Sequence, residues 1–312
     1  MIQEIAPLKF DNQYRAAVPR KSDTVLMFKG TGRRDDMICV AAEGPEESGI
    51  LRFPTVAEAG DEELTYLFSI DDMQYFLKGF KYAAALSMTC GRTEVSSGPD
   101  SNTADAPAYG EDSMVPPEGY SFEPIRVLRR SGPVHLSFAG MTGYHLFTWY
   151  RNAQFCGRCG HITTHDDKLR MKRCSKCGNM IFPIIAPAVI IGLRNGDSLM
   201  MSRYAGREYK GRALLAGFCE IGETPEETVA REVMEEVGLK AVNVTYFGSQ
   251  PWGFDSNLLL GYFADLEGDA SVKLDTEELA SAGFVKREDI EYEPNLYSLT
   301  ATMIEAFRTG KA

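Results

Sequence analysis

Three glutamates and four cysteines are the residues of this chain whose types and spacing could do chemistry. Glu232, Glu235 and Glu236 fall three and four positions apart, so on a helix their carboxylates crowd one edge. Like charges stacked this way destabilise a helix. A divalent cation would offset the repulsion, because carboxylate oxygens are ligands that Mg²⁺ and Mn²⁺ prefer. Cys156-Gly-Arg-Cys159 and Cys174-Ser-Lys-Cys177 are two knuckles, each followed by glycine, with fourteen residues between Cys159 and Cys174. Each knuckle aims two thiolates at one point, and two of them complete a tetrahedral Zn²⁺ site. Four cysteine ligands leave no open position, so this zinc reads as structural. A redox role fits poorly, since thioredoxin-like CxxC motifs come singly and before a helix. His161 and His165 are surplus to the site and read as exposed loop histidines.

The elements that must position these groups are legible around them. Thr224 suits an N-cap, Pro225 the first helical position, and Glu227 closes a capping box. Gly238 is a stop signal, so the spacing predicts a helix over about 225–237. Val229, Val233 and Val237 repeat every four residues and form its core-facing stripe. Strands are expected at 187–193 and 198–204 around an Asn195-Gly196 hairpin turn, at 213–221, in 242–254 and 258–266, and more weakly at 284–289. A closing amphipathic helix is expected at 296–310.

Upstream, residues 1–90 read as an α+β scaffold with structural and dimerisation duties. It has strands at 24–30, 37–42 and 63–70, and a helix beginning at the acidic pair Asp71-Asp72. Residues 91–119 are rich in Gly, Pro, Ser, Asp and Asn and read as a long mobile loop. A helical pattern resumes at 121–130 and at 135–152, where Trp149 and Tyr150 read as core. The domains expected are 1–150, a metal ribbon over 151–183 and a catalytic domain over 184–312. The pattern alone gives a mixed α/β fold.

With 312 residues and 44% hydrophobic content the chain can build real cores, and its formal charge of -11 argues against wholesale nucleic-acid binding. The basic stretch Arg151, Arg158, Lys168, Arg170, Lys172, Arg173 and Lys176 could touch a nucleic acid, but reads better as a solvated surface. No apolar run approaches a membrane span, and the N-terminus lacks a signal-peptide pattern, so a cytoplasmic protein is expected. Cys39, Cys90 and Cys219 are isolated among apolar neighbours and read as small buried hydrophobes.

Gly217, five residues, Glu223, seven residues, then Arg231-Glu232-Val233, Glu235-Glu236 and Gly238-Leu239 fill nine fixed positions of the Nudix box in one register. A plain acidic surface helix has no reason to meet them all. The ribbon upstream and Ser249-Gln250-Pro251-Trp252-Gly253-Phe254 downstream make the whole chain resemble the NADH pyrophosphatase (NAD⁺ diphosphatase) family of Nudix hydrolases. That resemblance implies a Nudix α/β/α sandwich, a degenerate N-terminal Nudix-like domain and a zinc ribbon between them. It further implies a homodimer, and cleavage of NADH or NAD⁺ to nicotinamide mononucleotide, reduced or oxidised, and AMP.

Carried over, Glu232 and Glu236 would ligate Mg²⁺ or Mn²⁺, with Glu235 assisting and the Ala216 carbonyl and Glu278 as further ligands. Arg231 would pair with Glu223 and orient the box. Phe218 and Trp252 match aromatics that stack on the base, and Phe182 one that reaches a partner subunit's ligand. Ser249, Gln250, Asn257, Arg126 and Thr300 are further substrate-contact candidates. Gly253 and Asp255 stand where the family loop has prolines, and Asn257 where it has serine. Rival expectations are another Nudix substrate (ADP-ribose, a dinucleoside polyphosphate or coenzyme A), removal of an NAD cap from RNA, and a non-enzymatic zinc-ribbon nucleic-acid binder.

Overall fold

The computed structural model describes residues 1–30, 36–43, 50–79, 114–129, 132–166, 168–206, 211–292 and 297–312. Cys90 and residues 91–113 of the expected mobile loop lie outside the described residues. The chain divides into two compact units, Ile5–Ile184 and Ile185–Ala312, the latter including Met1–Glu4. Among the described residues no helix is long and apolar enough to cross a membrane.

In the first unit the strands are β1 (Phe10–Asp11), β2 (Thr24–Leu26), β3 (Phe28–Lys29), β4 (Met37–Glu43), β5 (Ile50–Arg52), β6 (Leu64–Ile70), β7 (Met73–Lys78) and β8 (Ser121–Pro124). They make one sheet in the order β1-β6-β7-β2 and another in the order β3-β4-β5, with β8 also on β4. A short helix α1 (Val56–Ala59) and the long α2 (Val134–Asn152) complete it. At Gly143 of α2 a Cβ would stand 2.2 Å from Leu26 Cδ1, so glycine lets the helix settle on β2. Trp149 and Tyr150 are 5% and 1% exposed, core residues as expected.

Two helices expected here are not helices. Asp71 and Asp72 form the turn between β6 and β7, with Ile70 facing Met73 across the ladder. Asp71 has φ 48°, a left-handed conformation that aspartate tolerates, so the acidic pair makes a hairpin turn rather than a helix start. Over 121–130, β8 pairs antiparallel with β4, and a 3₁₀ turn follows at Ile125–Arg129. Pro124 disfavours helical backbone at the residue before it, which breaks the helical reading.

The ribbon lies in the same unit as a sheet β11-β10-β9, from β9 (Thr163–His165), β10 (Lys172–Cys174) and β11 (Met180–Ile181). His165 is not an exposed loop histidine. It lies on β9 with its ring 4.9 Å from that of Tyr14 and 5.5 Å from that of Tyr150. Tyr150 Oη and His165 Nε2 are 2.7 Å apart, and burial lowers the imidazole pKa. It ties the ribbon to the aromatic core rather than to a metal.

The second unit is a six-stranded mixed sheet built from β12 (Ala186–Asn195), β13 (Ser198–Tyr204), β14 (Leu215–Phe218), β15 (Lys240–Trp252), β16 (Asn257–Glu267) and β17 (Leu279–Lys286). Its order is β15-β16-β12-β13-β17, with β14 also on β12. β12 and β16 run parallel, and the other pairs are antiparallel. The β12–β13 hairpin turns at Gly196, φ 55°, as the Asn-Gly signal required.

Helix α3 (Pro225–Val237) covers one sheet face, and α4 (Leu299–Arg308) packs on β12, β15 and β16. Val229, Val233 and Val237 are fully buried against Val189, Ile191, Leu215 and Tyr262. Each such side chain contributes about 1.5–3 kcal/mol, and together they outweigh the few tenths lost per like-charge pair on the opposite edge. This is the mixed α/β architecture expected of a Nudix fold.

Candidate active site

Helix α3 begins where its sequence says it should. Thr224 Oγ1 accepts from Glu227 N at 3.2 Å, and Glu227 Oε2 accepts from Thr224 N at 2.8 Å. Gly238 ends the helix in the left-handed conformation, φ 68°, donating its N–H to Met234 O. These two ends fix the rotation of the helix, and hence where its acidic edge points.

Arg231 gathers that edge. Its Nε and Nη2 donate to Glu223 Oε1 and Oε2 at 2.7 and 2.9 Å, a two-point grip on the loop before the helix. Nη2 also donates to Phe218 O at 3.0 Å, at the end of β14. Nη1 lies 2.8 Å from both Glu232 Oε1 and Glu235 Oε2. One guanidinium therefore joins loop, strand and helix. The arginine beside Glu223 holds that carboxyl at about 2, well below its ordinary value.

Glu232 and Glu236 are 9% and 2% exposed, while Glu235 has 58% of its side chain exposed. Burial raises the pKa of Glu232, Arg231 opposes the rise, and the neighbouring charges of Glu235 and Glu278 add to it. Glu278 is exposed, just before β17, and its carbonyl accepts from Ala205 N. Ala216 lies opposite Ile190 in the β14–β12 ladder. Beside it, a Cβ on Gly217 would stand 1.9 Å from the Glu232 carboxyl carbon, so the missing side chain is the space that Glu232 fills. Two buried carboxylates with a third beside them on one helix edge fit a hard divalent cation. Among the described residues they are not drawn into one group of converging ligand atoms; the four ribbon cysteines are.

Those cysteines close on one point. Their ligand atoms all lie within 4.8 Å of one another, with Sγ pairs 156–177, 159–174 and 159–177 at 3.6, 3.5 and 3.5 Å. A tetrahedron with Zn–S bonds of about 2.3 Å has edges of about 3.8 Å, so the four thiols fit structural zinc. Burial raises the Cys156 thiol pKa, but backbone N–H groups of Arg158 and Cys159 and the neighbouring thiols of Cys177 and Cys159 together outweigh it, and the thiol is shifted down.

The aromatic candidates divide between the units. Phe218, Ala188, Leu259 and Gln250 form one row across β14, β12, β16 and β15, on the sheet face opposite Gly217. Trp252 is two residues further along β15 on that same face, opposite Asn257. Phe218 is 54% exposed and Trp252 8%. Three strand spacings of about 4.8 Å separate their backbones, so the rings close on one base only by leaning toward each other. Phe182 (51% exposed) and Arg126 (exposed) belong to the first unit.

The structure also shows what the spacing did not. Gln250 is fully buried and its amide is engaged by backbone: Oε1 accepts from Leu299 N at 2.7 Å, and Nε2 donates to Tyr297 O at 2.8 Å. It ties β15 to the start of α4, beside the half-buried Thr300. Ser249 O accepts from Gln3 Nε2 at 3.1 Å, so the chain's first residues brace this end of β15. No sequence signal marks that contact across the chain's length. Asn257 is 7% exposed, and its Oδ1 is buried without a protein partner. Asp255 Oδ2 accepts from Trp252 Nε1 at 3.1 Å, and its signal in the sequence was an acid where the family loop has proline.

Residues 185–307 match the NUDIX domain family and residues 151–182 the NADH pyrophosphatase zinc ribbon domain. The chain carries a Nudix domain behind an NADH pyrophosphatase zinc ribbon. Similar proteins include the NAD-capped RNA hydrolase NudC of Enterobacter sp. (strain 638), 37% identical over 164 residues, 52% of this chain and 63% of that protein. The protein of the same name from Salmonella typhi is also 37% identical, over 52% of this chain and 63% of its own length. The chain thus spans 63% of the length of these curated relatives. Among solved structures, a NUDIX hydrolase from Nitrosomonas europaea aligns with a TM-score of 0.40 at 20% identity, covering 49% of this chain and 90% of that one.

Proposed function

We propose that the chain hydrolyses the diphosphate of a nicotinamide adenine dinucleotide, NADH or NAD⁺, giving nicotinamide mononucleotide, reduced or oxidised, and AMP. The observation that carries this reading is the crossing at β14. There the backbone of Gly217 leaves room for the Glu232 carboxylate, and the next residue, Phe218, offers an exposed ring on the other sheet face. A diphosphate over the first and a planar ring over the second describe a nucleotide-diphosphate substrate. The catalytic domain is read as 184–312, the ribbon as 151–183 and the rest, 1–150, as the Nudix-like N-terminal domain.

In this reading Glu232 and Glu236 hold Mg²⁺ or Mn²⁺, with Glu235, Glu278 and the Ala216 carbonyl completing the set. The bound cation would neutralise the diphosphate and lower the pKa of a water. Arg231 keeps the helix edge, the Glu223 loop and β14 in one frame, and so acts by orientation rather than on the substrate. Glu235, the exposed member of the trio, is the carboxylate best placed to take a proton from water. Phe218 presents an exposed ring face for stacking, Trp252 offers only the small part of its ring that reaches the same sheet face, and the unpartnered Asn257 Oδ1 lies buried beside it. Ser249 and Gln250 on β15 and Thr300 on α4 frame the site around it.

A second reading, removal of an NAD cap from RNA, uses the same chemistry. The relatives' name favours it, as does the exposure of Arg158, Lys168, Arg173 and Lys176 on the ribbon. We further infer a homodimer in the cytoplasm, consistent with the exposed Met180 and Phe182, 52% and 51%, near the end of the ribbon. The deciding experiment compares kcat/KM for NADH, NAD⁺, ADP-ribose and NAD-capped RNA in Mg²⁺ and in Mn²⁺. Metal-dependent release of AMP from NADH or NAD⁺ is expected, and its absence with every dinucleotide would overturn the reading. A salt-sensitive preference for capped RNA would establish the second one.

A further inference from the structure

The turn joining β15 to β16 spans Gly253–Ser256 and folds back on the end of β15. Asp255 N donates to Trp252 O at 3.3 Å, and Ser256 O anchors the turn by accepting from Ala186 N at 2.9 Å. This brings the Asp255 carboxylate to the edge of the indole, where Trp252 Nε1 donates to Oδ2 at 3.1 Å. Phe254 meets the same indole edge-to-face, with ring centroids 5.0 Å apart at 64°. Trp252 is thus held by a charged acceptor on its N–H and by an aromatic neighbour, while Asp255 itself is exposed and keeps its charge near solvent. A proline at 255 would offer no side-chain acceptor.

A carboxylate accepting the indole N–H does two things. It fixes the ring's orientation, and it places negative charge beside the π system that a ligand ring would stack upon. An indole face already attracts cations through its quadrupole, and a bonded anion strengthens that preference. Oxidised nicotinamide is a cationic pyridinium, and the reduced ring is neutral. We propose that the nicotinamide ring, and not the adenine, packs against the accessible part of Trp252, and that Asp255 is a positioning and specificity-determining residue which, through Trp252, biases the site toward a dinucleotide with a cationic ring. This rests on the dinucleotide reading above.

Two substitutions separate charge from geometry. Asp255→Asn keeps an acceptor oxygen and loses the charge, whereas Asp255→Ala loses both. The first readout needs no substrate: acrylamide quenching of Trp252 emission in a Trp149→Phe background, with folding checked by circular dichroism. Quenching is expected to rise about twofold in Asp255→Ala and to stay near the parent value in Asp255→Asn. The second readout is the ratio of kcat/KM for NAD⁺ to that for NADH. It is expected to fall about threefold in Asp255→Asn, the scale of an exposed cation–π contact. In Asp255→Ala, KM should rise for both substrates with kcat little changed. An unchanged ratio in both variants overturns the proposal, as does unchanged quenching in Asp255→Ala. If the unmodified protein releases AMP from no dinucleotide, the functional reading fails; the quenching still decides whether Asp255 holds Trp252.

Discussion

A β-carbon on Gly217 would stand 1.9 Å from the carboxyl carbon of Glu232. Gly217 is not among the glycines with positive φ, so its role is space and not backbone freedom. The smallest possible substitution, Gly217→Ala, must push the Glu232 carboxylate away from β14 or move the strand. Val229, Val233 and Val237 keep the helix seated, so the carboxylate should yield first. The expected outcome is a loss of kcat of at least about 100-fold, the scale of removing one group that stabilises developing charge. Circular dichroism should stay unchanged, and titration with Mn²⁺ should show weaker binding. Retained activity would mean that Glu232 is not a ligand.

Glu236 lies one turn further along and is the most buried of the three, at 2% exposure. A carboxylate there is tolerated only if something compensates its charge. Glu236→Gln keeps the shape and removes the charge. Turnover of NADH in Mg²⁺ is therefore expected to fall by more than about 100-fold. Without metal, the variant should melt no lower than the parent, because a neutral amide is easier to bury. A variant with parental kcat would sink the assignment of this edge to catalysis.

Much of this site was legible because it is local. The capping box at Thr224 and Glu227, the stop at Gly238 and the valine stripe all act within a few residues, and each appears in the structure as the spacing required. The ribbon was legible for the same reason, since each knuckle is a four-residue turn. What was not legible depends on distance or competition. Asp71-Asp72 carries a helix-start signal, but the pairing of β6 with β7 made it a hairpin turn. His165 has no sequence feature that places it between Tyr14 and Tyr150. Gln250 reads as a substrate contact by its loop, yet it serves the backbone of Tyr297 and Leu299, nearly fifty residues downstream.

The ribbon makes an independent prediction. Its two halves meet through the four thiols, with β9, β10 and β11 offering a sheet of only two or three residues per strand. Strands so short cannot hold themselves, so the metal must supply the folding energy, about 10–16 kcal/mol in small zinc modules at neutral pH. Metal analysis should find one zinc per chain, carried by the single four-cysteine group among the described residues. Cys174→Ser should lose it and lower the melting temperature by at least about 10 °C, at roughly 2–4 °C per kcal/mol. Full zinc content in that variant would contradict the four-thiolate site.

The Glu223–Arg231 pair predicts a pH dependence whose sign is fixed. Hydrogen bonding to Arg231 leads the causes that bring the Glu223 carboxyl to about 2, from an ordinary 4.5. A folded-state value below the unfolded one means that the ionised form favours the fold. That contribution is complete above pH 4.5 and is lost as pH falls toward 2. Glu223→Gln removes it at every pH. The urea midpoint of the parent should therefore exceed that of the variant at pH 6, and the difference should shrink on going to pH 3. Arg231 would also lose its two-point grip on the loop, so the variant should be less active at pH 7 through the loss of that frame. A difference in midpoint that is the same at pH 6 and pH 3 would show that the pair does not stabilise the fold through its charge.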